Sequence, residues 1–281
     1  MTRIFRENFE LIYPGENAGA FQSFEYEKCL CDFKSEYQHI QIFETNALGK
    51  VLVLDDVIQC TEKDEFIYHE MLVHVPMFSV PEPKRVLIIG GGDGGSLREV
   101  LKHESVREVV VCEIDKAVIE LSAQAFGNLK YFNDDRVTIV CEDAADYLSR
   151  PTPEFDVIIV DSTDAVTDSG KSLFTKKFAN YMTSNLSGNG AISIMAGVPM
   201  AQGLDHMKPI NQMMKFNGFD PFLYTTTVPT YYGGLTAMFM YGKSIDLDRY
   251  IDDLGFRHYS MEVHAAAFAI PKWLKEIVND Q

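Results

Sequence analysis

Basic residues are scarce in this chain: 25 lysines and arginines stand against 41 aspartates and glutamates, a formal net charge of −16. A surface of that sign repels phosphates, which argues against a nucleic-acid partner and suits cationic ligands. Long apolar runs are also lacking. None reaches the roughly 18 residues of a membrane span, so no membrane association is expected. The opening "MTRIFRENFELIYPGE" has no long apolar stretch followed by small residues, and no secretory signal is read there. Cysteine is sparse: Cys29, Cys31, Cys60, Cys112 and Cys141 form no CxxC pair. Neither a disulfide framework nor a zinc site is expected, and the cytoplasm is the default compartment.

What is present is a chain of 281 residues, 46% of them hydrophobic, enough for one large domain or a small domain joined to a medium one. Residues 1–63 read as an N-terminal antiparallel β-domain. "FQSFEYEKCLCDF" has strand character, and "YQHIQIFETNALGKVLVLDDVIQ" reads as two strands around an Asn-Ala-Leu-Gly turn. Residues 64–281 form the second domain, with 64–84 as its connecting helix and linker. "DEFIYHEMLVHVPMFSV" carries helical spacing, and "PEPK" breaks it. From there strands ("RVLIIG", "EVVVCEI", "VTIVCED", "FDVIIVD", "GAISIM") alternate with helices, which predicts an α/β fold with a mostly parallel sheet covered on both faces. "FDPFLYTTTVPT" and "LTAMFMYGK" read as an antiparallel hairpin at the end of that sheet.

In an open parallel sheet, ligands bind beyond the C-terminal strand ends. Four successive strands here end near an acid: Asp93 in "GGGDGG", then Glu113, Asp143 and Asp161. The glycine run permits a tight turn and a close ligand approach. Asp93, however, sits where a dinucleotide's pyrophosphate would rest, and repels it. Glu113 lies 23 residues after Gly90, the spacing at which an acid meets a ribose diol. Asp143 is placed to accept from an exocyclic amine such as that of adenine. The combination fits a nucleoside with a cationic tail and no phosphate. S-adenosylmethionine qualifies, and its decarboxylated form, which offers Asp93 only an ammonium, fits better. In "VDSTD", Asp161 and Asp164 stand three residues apart. A sulfonium leaves as a neutral thioether without acid help. An amine nucleophile, with a pKa of about 10.4, needs a carboxylate to take its proton. The second acid can anchor a distal ammonium. No metal is required.

The residues that carry this reading resemble those of the spermidine synthases, or polyamine aminopropyltransferases. The likeness spans essentially the whole chain and includes "YQHIQIFET", "VLIIGGGDGGSLREVLKH", "CEID", "VDSTD", "VPTYYGG" and "HAAAFAIP". It implies a Rossmann-like, methyltransferase-type domain behind the β-domain, assembled as a homodimer or homotetramer. It also implies aminopropyl transfer from decarboxylated S-adenosylmethionine, a co-substrate, to putrescine, giving spermidine and methylthioadenosine. Carried over by motif, Asp161 is the general base and Asp164 holds the acceptor amine. Asp93 binds the donor's ammonium, and His69 lies beside the polyamine. Gln38, Glu113, Asp143 and Ala144 hold the thioadenosine, while Gln59, Tyr68 and Tyr231 line the acceptor channel. Two departures stand out. The family's Pro-x-Gly-Pro is here Ala165-Val166-Thr167-Asp168, so Asp168 takes the place of a proline at the thioadenosine. The strand ending at Met195 also lacks the family's glutamine. A different diamine or polyamine acceptor, or an S-adenosylmethionine-dependent methyltransferase, is the alternative.

Overall fold

The computed structural model describes residues 3–12, 19–162, 173, 175–205, 207–249 and 253–276. The chain begins with β1 (Arg3–Asn8), α1 (Phe9–Ile12), β2 (Phe21–Tyr26) and β3 (Lys28–Lys34). Next come β4 (His39–Thr45), β5 (Gly49–Leu54), β6 (Val57–Thr61) and α2 (Glu65–Ser79). Then follow β7 (Arg85–Gly90), α3 (Gly95–Val100), β8 (Glu108–Cys112), and α4 (Lys116–Val118), which runs into a π-helical turn at Ile119–Ala123. β9 (Val137–Val140), α5 (Ala144–Leu148), β10 (Phe155–Asp161), α6 (Lys176–Ser184) and β11 (Leu186–Gly197) continue the alternation. The last elements are α7 (Pro199–Gln202), α8 (Lys208–Phe216), β12 (Pro221–Thr227), β13 (Leu235–Gly242) and α9 (Met261–Ala267).

The N-terminal strands make two antiparallel sheets, β1-β2 and β3-β4-β5-β6. The stretch read from sequence as two strands is three. Asp55 and Asp56 reverse the chain between β5 and β6 at φ 48° and 65°. Aspartate tolerates the left-handed region better than most residues, and paired positive φ values suit a tight hairpin. The strand β1 was not foreseen. The apolar run Val51–Leu54 is buried on both faces because it lies between layers. Leu52 and Leu54 pack with Ile40, Ile42 and Val118 toward α4. Val51 and Val53 pack with Phe5, Phe43 and Ile58 toward β1 and β2.

The large sheet runs β12-β13-β11-β10-β7-β8-β9, parallel from β11 to β9 and antiparallel at the β12-β13 hairpin. This is the doubly wound, methyltransferase-like fold. The chain starts at β7 and winds first through β8 and β9, then back through β10 and β11. The direction of winding reverses between β7 and β10, and side chains at their C-terminal ends face a common crevice. Helix α2 is buried from Tyr68 onward and packs against α3, β10, β11 and β12.

Candidate active site

A cleft of about 1270 Å³, its open mouth included, lies over the ends of β7, β8, β9 and β10 and under the N-terminal strands. Asp161, the last residue of β10, pairs in register with Gly90, the last of β7. Asp93 follows three residues later in the loop to α3. The reversal of winding therefore explains why these two carboxylates share one pocket.

Both are held. Asp161 accepts from the Tyr68 hydroxyl at 3.0 Å through Oδ1 and from the Ser96 hydroxyl at 2.7 Å through Oδ2. Asp93 accepts from the Gly95 backbone N–H at 2.6 Å. His69 stands beside them, 1% exposed, with Nε2 3.4 Å from Asp93 Oδ1 and 4.0 Å from Asp161 Oδ2. Burial, helped by the charge of Asp93, raises the Asp161 carboxyl above its ordinary value against the pull of His69, Ser96 and Tyr68. Burial acts in the same direction on Asp93, but there His69 wins and the carboxyl is lowered. Two neighbouring acids with pKa values pushed apart are a pattern of sites that move protons.

The other half of the cleft is built from the next two strands. Glu113, at the end of β8, is 8% exposed and accepts from the Asp115 N–H at 3.0 Å; burial pushes its carboxyl up to about 7. Asp143 caps α5 by accepting from the Ala145 N–H at 2.7 Å, and Ala144 opens that helix. Gln38 reaches over from the N-terminal sheets, its amide donating to Asp115 at 3.1 Å. On the other side, Tyr231 donates to the Gln59 carbonyl at 2.6 Å and meets Tyr68 edge-on at 6.0 Å between ring centroids.

Gln38, Gln59, Tyr68, His69 and Asp93 line this one cleft, and so do Glu113, Asp143, Ala144, Asp161 and Tyr231. Asp164 and Asp168, with the Ala165–Asp168 departure, lie outside the described residues. Met195 lines the cleft where the resemblance leads one to expect an amide.

Several participants were missed. Glu7 and Phe9 line the cleft from β1 and α1, in a stretch whose strand the sequence reading did not detect. Glu7, 3% exposed, accepts from the Ile58 N–H at 3.0 Å and from Gln22, which also donates to the Thr230 carbonyl. Ser96 directly follows the glycine run and was legible as a hydroxyl near the strand end. Glu65 and Arg98, which have the composition of exposed helix charges, were not singled out either.

Fold and site together define a methyltransferase-like α/β enzyme whose cleft is lined with carboxylates. Residues 65–250 match the spermine/spermidine synthase domain, and residues 11–62 match the spermidine synthase tetramerisation domain. A polyamine aminopropyltransferase of Thermoanaerobacter sp. (strain X514) is 42% identical over 255 residues, 88% of this chain and 90% of the relative. One from Ruegeria sp. (strain TM1040) is 41% identical over 271 residues, 91% of this chain and 94% of that one. A spermidine synthase solved with the transition-state analogue AdoDATO superposes with a TM-score of 0.89 at 35% identity, covering 99% of this chain and 96% of that one. The spermidine synthase of Thermotoga maritima gives 0.85 at 34%, covering 99% and 95%. The chain belongs to the spermine/spermidine synthase family, the polyamine aminopropyltransferases.

Proposed function

We propose that the protein transfers the aminopropyl group of decarboxylated S-adenosylmethionine to putrescine, giving spermidine and methylthioadenosine. The observation that carries this reading is the Asp93–Asp161 pair at the reversal of winding, one acid lowered and the other raised. Asp93 keeps its charge and receives the donor's ammonium. Asp161, with the higher proton affinity, takes a proton from the attacking amine. The freed nitrogen attacks the carbon next to sulfur, and the C–S bonding pair passes to the thioether. Glu113 accepts from the ribose diol, and Gln38, Asp143 and Ala144 surround the base. Asp168 remains assigned to the thioadenosine and Asp164 to the acceptor amine.

The cleft leads from Asp161 to Tyr68 and Tyr231, whose hydroxyl reaches the Gln59 carbonyl; Thr230, next in the chain to Tyr231, accepts from Gln22, which also donates to Glu7. Aromatic walls with a carboxylate at each end suit a short aliphatic diamine. The match to the tetramerisation domain supports a homo-oligomer, dimer or tetramer. Residues 1–63 are taken as the β-domain and 64–281 as the catalytic domain.

The test is a product assay with decarboxylated S-adenosylmethionine and a panel of diamines and polyamines. Spermidine and methylthioadenosine are expected, with putrescine the best acceptor. Methyl transfer from S-adenosylmethionine, with no aminopropyl product, would overturn the reading.

A further inference from the structure

The proposed reaction assigns no proton to His69, yet a carboxylate faces each nitrogen of its ring. Nδ1 lies 2.6 Å from Glu65 Oε2, and Nε2 faces Asp93 and Asp161. Glu65 is itself fixed: Arg98 donates to both of its oxygens, at 3.0 and 2.8 Å, and its Nε donates to Glu99 at 2.7 Å. A ring with an acceptor on each side carries both protons and is an imidazolium. Burial favours the neutral ring but is outweighed by Asp93 and Glu65, which hold its pKa well above the ordinary value. Among the described residues, the charged groups that face the ring are Glu65 on its own helix, Asp93 after β7 and Asp161 on β10. Arg98 on α3 acts through Glu65. Tyr68 and Ser96 donate to Asp161, and the Cys60 thiol on β6, kept protonated by burial and by these same acids, lies near them. The free protein thus already holds a cation at Asp93, where the donor's ammonium is to bind.

Building on the reading that the donor brings an ammonium to Asp93, we propose that His69 is the proton carrier of the site. Its imidazolium is the counter-ion of Asp93 and Asp161 in the free protein. When the donor's ammonium takes the place of Nε2–H at Asp93, the ring releases that proton to solvent. The neutral ring then accepts the proton that Asp161 takes from the acceptor's ammonium. The acceptor nitrogen forms the new N–C bond as a secondary ammonium while the C–S bond breaks, and the products leave an imidazolium behind. Charge balances: two dications enter, and a neutral thionucleoside, a trication and one proton leave. That proton is lost when the donor binds, before the chemical step. Glu65 and Arg98 are positioning residues, which turn Nε2 toward the two acids.

The test is calorimetry of donor binding without acceptor, at a pH of about 7.5, in two buffers of different ionisation enthalpy. Methylthioadenosine is the reference: it reaches the same nucleoside pocket and Glu113 but carries no ammonium. Wild-type protein should release about one proton more with the donor than with methylthioadenosine. His69→Gln should bind the donor with that excess lost. Glu65→Gln should show a smaller excess, because the ring loses a partner that keeps it charged. A purely structural role for His69 would change affinity but leave the proton count unmoved. Donor binding without excess release, or equal excess in His69→Gln, would overturn the proposal and leave the proposed reaction standing. Failure of the donor to bind at all would remove both.

Discussion

The imidazole of His69 occupies the space that a side chain on Gly95 would need. A Cβ on Gly95 would lie within 2.6 Å of Nε2 and closer still to two other ring atoms. Gly95 → Ala should therefore push the ring away from Asp93 and Glu65. Overpacking of this kind costs about 1–3 kcal/mol. A lower Tm and a lower kcat are expected together. Gly188 → Ala is the control, since an added methyl there meets nothing within 4 Å and the φ lies outside the left-handed region. Equal behaviour of the two variants would show that the ring moves aside without cost.

The hydroxyls on Asp161 set its titration. Ser96 and Tyr68 both donate to it and both lower its pKa. A hydrogen bond to a charged group contributes about 1.5–3 kcal/mol. Ser96→Ala should therefore raise the Asp161 pKa further. A base works only when deprotonated, so the acid limb of kcat/KM against pH should move to higher pH. Asp161→Asn should lower kcat by about 10² to 10⁴ at saturating amine. An acid limb that stays in place in Ser96→Ala would show that another group controls it.

The acids at the strand ends were legible because parallel strands expose their C-terminal ends to a ligand, and each motif stands at a strand end. The glycine run was read as room for a ligand, yet much of it makes room for the protein. Side chains on Gly90, Gly92 and Gly94 would collide with the Asp161 carbonyl, with Val118 and with Phe132. Such contacts depend on which strands become neighbours, and local spacing does not encode that. Glu7 escaped for the same reason. Its strand, "RIFREN", carries three charged residues in six, and its place in the cleft depends on a contact with Thr230, carried by Gln22. Glu65 and Arg98 have the composition of an exposed ion pair, and only the docking of α2 on α3 buries them.

Glu113 should make nucleoside binding depend on pH. Its carboxyl, raised to about 7, must be ionised to accept from both ribose hydroxyls. Below that value a bound proton has to leave first, so affinity for methylthioadenosine should fall about tenfold per pH unit. Above it, affinity should level off. The pH dependence should vanish in Glu113→Gln, which should bind with the weak, low-pH affinity throughout. Calorimetry with methylthioadenosine across this range decides it, and a flat profile in the wild type would show that the ribose is held elsewhere.

Asp115 ties the N-terminal sheets to the proposed nucleoside site. Its Oδ2 accepts from the Ser35 hydroxyl at 2.6 Å and from the Gln38 amide at 3.1 Å. Its Oδ1 caps α4 through the Ala117 N–H at 3.0 Å, and its own N–H donates to Glu113. One residue thus holds Gln38 through its carboxylate and the end of β8 through its backbone N–H. In Asp115→Ala both the cap and the clasp are lost, and a cap alone contributes about 1 kcal/mol. In Asp115→Asn the cap survives, because Oδ1 is kept, but an amide N–H then faces the donors on Ser35 and Gln38. Comparing the two separates the roles. Asp115→Ala should lose stability and raise the donor KM. Asp115→Asn should keep most of the stability and still raise the donor KM by roughly tenfold, the loss of about one charged hydrogen bond. Because Gln38 contacts neither Asp93 nor Asp161 in the bonds described, kcat should change little in Asp115→Asn. Steady-state kinetics with the donor varied, beside thermal unfolding, is the measurement. A fall in kcat at unchanged donor KM would place Asp115 in the chemical step and not in closing the nucleoside site.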